Sequence, residues 1–404
     1  MPNRTRREWL RTVGAAGVIG VAGCNSSDET GPNGEPTTVS ESATTDDEET
    51  ESDGDMSIGF SGAPMFQYDA ANTGTNPDET GPKTSVGEQW SYQTGDHIYS
   101  SLLVTDDTVY VGSNDGNVYA LSADDGTELW SYQIMAGAGS PAVADETIYF
   151  GSSNNKVYAL SVDDGTQQWE SNIGDGVASS LTVADEAVYF GSSGGKVYAL
   201  SADDGTKQWA FETGDVVETS PAVVDGTVYV GSGYNDHTVY ALSAGNGSKQ
   251  WSYESSFRSW MSSPAVIDGT VYVGIDGGHV YALSADDGTK QWSYLADSFT
   301  RSSPAVVDGT VYFGSSDYNV YALSADDGTE QWSYETEAQV NCAPAVVGGT
   351  VYVGSYDTMH ALSADDGTQQ WKYNFEESLA GSPAVVDGTV YVGIGRNVYA
   401  LSEQ

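Results

Sequence analysis

Side chains placed to do covalent or metal chemistry are sparse in this sequence. Cys24 and Cys342 are its two cysteines, too few for a disulfide scaffold and too far apart for a vicinal pair. The histidines His97, His237, His279 and His360 show no zinc-ligand spacing. No glycine-rich phosphate loop and no Ser-His-Asp arrangement can be found. Paired carboxylates such as Asp124/Asp125, Asp203/Asp204 and Asp326/Asp327 invite a calcium reading. They lack the alternate-residue ligands and closing Glu of a calcium loop, so no metal site is expected. Past residue 24 the arginines reduce to Arg258, Arg301 and Arg396. Such side chains suit the holding of an acidic or polar partner more than bond-making, and the segments that carry them decide which.

Charge narrows the partners. Asp and Glu number 58 against 14 Lys and Arg, a net charge of −44 spread along all 404 residues. Nucleic acid is excluded as a partner, because phosphate binding needs clustered Lys and Arg. A compact chain with this self-repulsion is expected to work in molar salt, where the Debye length falls to about 3 Å. We read the acidity as halophilic adaptation.

The first residues read as an address. "TRREWLR" places Arg6 and Arg7 ahead of Trp9 and Leu10, and "VGAAGVIGVAG" follows before Cys24. That apolar run is too short for the roughly 20 residues of a membrane helix. It resembles a twin-arginine export signal ending in a lipobox, which implies a lipid on Cys24. Residues 1–23 are then the signal. Residues 24–59, rich in Ser, Thr, Asp, Glu, Gly and Pro, form a disordered tether. The expected location is the outer face of the cytoplasmic membrane. Asn25 and Asn246 begin N-x-Ser sequons.

From Gly87 the sequence repeats. Trp90, Trp130, Trp169, Trp209, Trp251, Trp292, Trp332 and Trp371 recur every 39 to 42 residues. A period near 40 marks a propeller or a solenoid. The unit Ser303 to Tyr334 resolves into strand a "SPAVV", an Asp308-Gly309 turn, strand b "TVYFGS", strand c "VYALS", an "ADDG" turn and strand d ending "WSY". Strands b and c are apolar on both faces, as in sheets stacked face to face. The first Trp precedes any "VYALS" and the last "VYALS" has no Trp after it. Circular closure solves both: the Gly87 strand completes the blade begun at Ser382. The prediction is an all-β, eight-bladed propeller of four-stranded antiparallel blades over residues 60–404, without open edges.

The "ALSADDGTxxW" unit, with Ala322, Gly328 and Trp332 in register, resembles the repeat of the pyrroloquinoline-quinone (PQQ) propeller family. Ser324 stands where that family usually has Asp. The lead-in Ala63 to Pro82 is similar as well. The resemblance implies that each Trp docks one blade on the next. It covers quinoprotein dehydrogenases, which hold PQQ and calcium with acidic, Asn and Arg residues, and also non-enzymatic assembly lipoproteins and sensors.

Because the repeat compares itself with itself, variable positions stand out. The d–a and b–c connections share one face and vary, and that face carries Arg258, Arg301, Arg396, His97, His237 and His279. Two residues before strand a, round the ring, stand Tyr99, Ala138, Ala178, Glu218, Met261, Arg301, Asn341 and Ala380. Glu218, Arg301 and Asn341 form a polar arc there. Trp260, Phe257, Tyr234, Tyr318 and Phe375 are candidate exposed anchors. His360 and Cys342 read as packing residues. The expectation is a lipid-anchored, monomeric binding or scaffold module for a protein or other surface partner, with no cofactor. The alternative is a PQQ-dependent dehydrogenase.

Overall fold

The computed structural model describes residues 62–404 except 64, 78, 106, 135, 257–259, 276 and 380. The export signal with Arg6 and Arg7, the lipidation site Cys24 and the tether lie outside the described residues, as do Phe257, Arg258 and Ala380.

Eight antiparallel sheets follow one another along the chain, each a blade of four strands, and no helix occurs among the described residues. Blade 6 shows the pattern: strand a Ala305–Val307, b Thr310–Gly314, c Asn319–Ser324 and d Glu330–Glu335. Strand a is shorter than "SPAVV" suggests, because Ser303 and Pro304 stay outside the ladder. Proline lacks the N–H a ladder needs. Asp308 and Gly309 both have positive φ, 48° and 71°, the type I′ turn that suits a right-twisted hairpin. Strand b is buried throughout, while strand d alternates and buries its Trp. Apolar side chains from facing sheets therefore form the core between blades.

Docking between blades repeats almost identically. Trp332 Nε1 donates to Ala364 O of the next blade at 2.9 Å, and Tyr312 Oη donates to the same carbonyl. Gly367, at φ +71°, lies against the Trp332 ring, where an added Cβ would sit 2.6 Å from Cε3. In the same way Trp90, Trp169, Trp209, Trp251 and Trp292 bond Ala123, Ala202, Ala244, Ala285 and Ala325, and Trp130 bonds Val162.

Closure occurs in blade 8, where Val86–Gln93 pairs with Asn397–Glu403 and supplies strand d. No c–d turn exists there to receive Trp371, and the lead-in substitutes. Trp371 Nε1 and Tyr352 Oη both donate to Pro82 O, at 2.7 and 3.0 Å. Lys83 and Thr84 N–H donate to Glu403 Oε1, which ties the seam.

The lead-in also runs along the inner edges of the blades. Carbonyls of Ala70, Ala71, Thr73 and Gly74 accept from Val223, Val266, Val306 and Val346 N–H, the same position in four successive a strands. Val385 N–H bonds Tyr68 Oη, and the two-residue strand Gly62–Ala63 pairs with strand a of blade 1. Asn72 Nδ2 reaches the carbonyls of Ser220, Pro221 and Pro264. Chain fills the axis and satisfies donors that would otherwise be orphaned.

Candidate functional site

The b–c turns pack on the d–a loops, so both belong to one face: Asn114 N–H bonds His97 O, Ser193 bonds Gly176 O and Ser316 bonds Phe299 O. The a–b and c–d turns meet on the other, as Ala325 N–H bonds Gly309 O. There Asp327 Oδ1 accepts from Thr329 N and Oγ1, which accounts for the Asp pairs as turn chemistry. Among the described residues no group of three His, Cys, Asp or Glu could hold a metal ion.

The axial end of the variable face carries two depressions. One, about 420 Å³, is lined by Tyr99, Ala138, Ala178 and Glu218. The other, about 210 Å³, is lined by Arg301, Asn341 and Cys342. Phe66 of the lead-in lines both. Glu218 is pushed upward from the ordinary carboxyl range by partial burial and by Asp215, with Arg301 opposing. Arg301 lies over the Phe299 ring at 5.7 Å, and Phe299 is half-exposed. Asn341 is engaged laterally: Ser316 Oγ donates to its Oδ1, and its Nδ2 donates to Gln339 Oε1. Glu218 thus lines the first depression and Arg301 and Asn341 the second, with Arg301 near enough to act on the Glu218 charge.

Arg396 belongs elsewhere. It lies 3.8 Å from Asp96 at the turn of blade 8, with His97 bonded to Asp96 and stacked on Tyr99 at 5.9 Å. The His97 hydrogen bonds hold Asp96 below the usual carboxylate range. Trp260 and Met261 are half-buried, and Met261 is bridged to Ile275. Tyr234 and Tyr318 are exposed. Three expectations need correction. Phe375 is not an exposed anchor: it is buried between Tyr373 and Tyr399, with ring centroids at 5.0 and 5.2 Å. His279 is not in a loop: it opens strand His279–Ser284 and stacks on Tyr281. Trp260 is only partly available, because it is half-buried beside Met261, which bridges Ile275.

Cys342 is only partly covered, and its Sγ accepts from Gly354 N–H at 3.1 Å and donates to Gly354 O at 3.3 Å. Thr219 with Gly231 makes the same pair of bonds through its hydroxyl. Desolvation of the sulfur raises the thiol to about 11, so little thiolate forms at neutral pH. His360 replaces the Tyr of other c strands. It bonds Ser355 Oγ at 2.8 Å, and burial lowers it to about 4.

One further cleft, about 370 Å³, escaped sequence reasoning. It lies between blades 6 and 7, under the exposed rings of Tyr318 and Tyr356. Both tyrosines sit at b–c turn positions with positive φ, 78° and 48°. Tyr318 stands where blades 1, 3 and 5 have Gly116, Gly195 and Gly278, blade 2 has Asn155 and blade 4 has His237, all at positive φ, whereas Tyr356 opens a two-residue turn as Gly395 does in blade 8. Aligning "SSDYN" with "SNDGN", and "SYDT" with "IGRN", carried this signal.

Comparison with known proteins places this architecture. No curated protein sequence matches. Among solved structures, BamB from Moraxella catarrhalis aligns with a TM-score of 0.68 at 18% identity, over 80% of this chain and 98% of that one. A quinohemoprotein alcohol dehydrogenase from Pseudomonas putida HK5 aligns at 0.72 and 14% identity, over 84% and 80%. A europium-containing methanol dehydrogenase aligns at 0.73 and 14% identity, over 85% and 98%. These likenesses establish the propeller and leave activity open. Residues 83–176, 157–259, 236–355 and 336–404 each match the PQQ-repeat family named for the outer membrane protein assembly factor BamB, and the chain belongs to that family.

Proposed function

We propose that this chain is an exported lipoprotein whose propeller binds a protein partner through its d–a/b–c face and performs no chemistry of its own. Residues 1–23 are the export signal, Cys24 carries the lipid, and residues 24–59 tether residues 60–404 at the outer face of the cytoplasmic membrane in molar salt. The observation that carries the reading is the axis. The lead-in residues fill it, so the polar arc lies over a floor made by Phe66 rather than around a closed chamber. Chemistry gains most from a water-excluded, preorganised site. An open face with Arg301, Phe299, Tyr99 and Tyr318 exposed has the composition of an interface.

A quinone–calcium pair, which the wider fold suggests, does not fit the donor set. Calcium needs six to eight oxygens. The arc offers one carboxylate, Glu218, and an Asn341 amide already engaged by Ser316 and Gln339. Cys342 is committed to Gly354.

Crosslinking and pull-down from native membranes in high salt tests the proposal. R301D and Y99A should lose the captured partner, while D326A on the opposite face should keep it. C24A should move the protein from the membrane to the soluble fraction, and gel filtration should give a monomer. PQQ with calcium supplies the opposing outcome. A saturable rise in melting temperature that R301A abolishes would establish the dehydrogenase reading instead.

A further inference from the structure

We infer that the cleft between blades 6 and 7 is a binding site for a neutral carbohydrate. The inference starts from an expense of backbone conformation. Positive φ is disfavoured for side chains as bulky as tyrosine, and turns that need it usually take Gly or Asn. Tyr318 holds it at 78° where blades 1, 3 and 5 use glycine, and Tyr356 at 48° where the two-residue turn of blade 8 uses glycine; His237 of blade 4 is the one other bulky residue at such a turn among the described residues, at 42°. Neither ring recovers the cost by burial: Tyr318 is 46% exposed and Tyr356 65%. Their backbones are pinned from the neighbouring loops. Thr336 N–H and Oγ1 both donate to Tyr318 O, and Leu379 N–H donates to Tyr356 O at 2.6 Å. The turns therefore bring two aromatic side chains to one cleft, each with about half or more of its surface left open. Strain of this kind, met with exposed side chains, points to function.

The cleft's chemistry selects the ligand. Its volume, about 370 Å³, falls in the range of small-molecule sites. The lining adds the Gln339 amide and the hydroxyl of Ser378, with Asn341 bonded to Ser316 and Gln339 behind them and Ala338 and Leu379 as apolar patches. Amides and hydroxyls both donate and accept, as the hydroxyls of a sugar do. Aromatic faces match the C–H faces of a pyranose ring. Glu337 is the one carboxylate in the lining, and Lys372 Nζ already pairs with it. A cationic ligand therefore finds no uncompensated partner, and an anionic one meets a chain of net charge −44. An extended peptide would need a free strand edge to pair with, whereas turns and loops line this cleft. Asn341 and Cys342 also border the axial depression, but the site stands whether or not a protein docks on that face.

Titration calorimetry and saturation-transfer NMR on the full-length protein in high-salt buffer test this. The probes are maltose, cellobiose, N,N′-diacetylchitobiose and α-mannobiose, with heptalysine as the cationic control. At least one disaccharide should bind and heptalysine should not. Y318G and Y356G should each weaken binding by about tenfold or more, the scale of one lost aromatic contact. Both variants should melt at or above the wild-type temperature, since glycine relieves the turn. Y318F and Y356F, which keep the ring, should retain binding. The inference fails if no disaccharide binds, if binding survives both glycine variants, or if heptalysine alone binds.

Discussion

Replacing Gly328 by alanine tests the docking that holds the ring together. Gly328 has φ +72°, and an added Cβ would lie 2.6 Å from Trp292 Cε3 and 2.8 Å from Cδ2. Ordinary carbon contacts are about 3.5–4 Å. The Trp292 ring cannot retreat freely, because its Nε1 is bonded to Ala325 O at 2.8 Å. Two costs follow: about 1–2 kcal/mol for a left-handed alanine and about 1–3 kcal/mol for overpacking. G328A should then lose about 2–5 kcal/mol. Gly309 is the internal control: φ is +71° and nothing lies within 4 Å of an added Cβ. G309A should show the backbone cost alone, about 1–2 kcal/mol. Urea unfolding in molar KCl measures both. In a W292L background the gap between the two alanine variants should close, as a double-mutant cycle requires. Equal losses from G328A and G309A, or a gap that persists without Trp292, would refute the docking argument.

Dilution from molar to millimolar KCl should cost the propeller its β spectrum in far-UV circular dichroism, because the Debye length grows from about 3 Å to beyond 10 Å; an unchanged spectrum removes the halophilic reading. His360 makes stability pH-dependent with a defined sign. Its unfolded value is 6.5 and burial lowers the folded one to about 4, so the unfolded chain gains a proton first as pH falls. Stability is complete above 6.5 and drops by about 3 kcal/mol toward pH 4; H360Y, which restores the residue of the other c strands, should remove that slope in urea titrations compared with wild type. C342S should unfold within about 1 kcal/mol of wild type, since Thr219 makes the same bonds through oxygen. Cys342 should also react slowly with maleimide at neutral pH and faster once the protein unfolds, because desolvation holds the thiol at about 11.

The frame was legible because its signals are local and repeated. "VYALS" buries both faces, Asp-Gly sets a I′ turn, and the Trp period sets the blade length. Circular closure followed from the two incomplete ends. What the repeat could not convey is how the unrepeated lead-in behaves. Nothing in "APMFQYDAANTGTNPDETGP" announces that its carbonyls would meet successive a strands, since those bonds join residues far apart in sequence. The functional face was legible only by subtraction. Variable loops could be named, but Phe375 looked exposed until its place between Tyr373 and Tyr399 showed it plugging two blades. Glu218, Arg301 and Asn341 share a ring position, and that position alone did not tell which of the two depressions each would line.

Departures from the repeat are informative because the eight environments are otherwise alike. In such a ring a substitution that breaks the pattern is measured against the blades whose turn has the same length. Several departures fall together in blades 6 to 8. Tyr318 and Tyr356 take the glycine position, Cys342 takes a hydroxyl position, His360 takes a tyrosine position, and Pro82 takes the place of an alanine carbonyl. Pro82 is explained by closure, Cys342 by equivalent hydrogen bonds, and His360 by its bond to Ser355. The two tyrosines are at most half-buried and make no bond that recurs round the ring. Within the physics of the fold alone they are a loss, and a contact with something outside the chain is what would balance it.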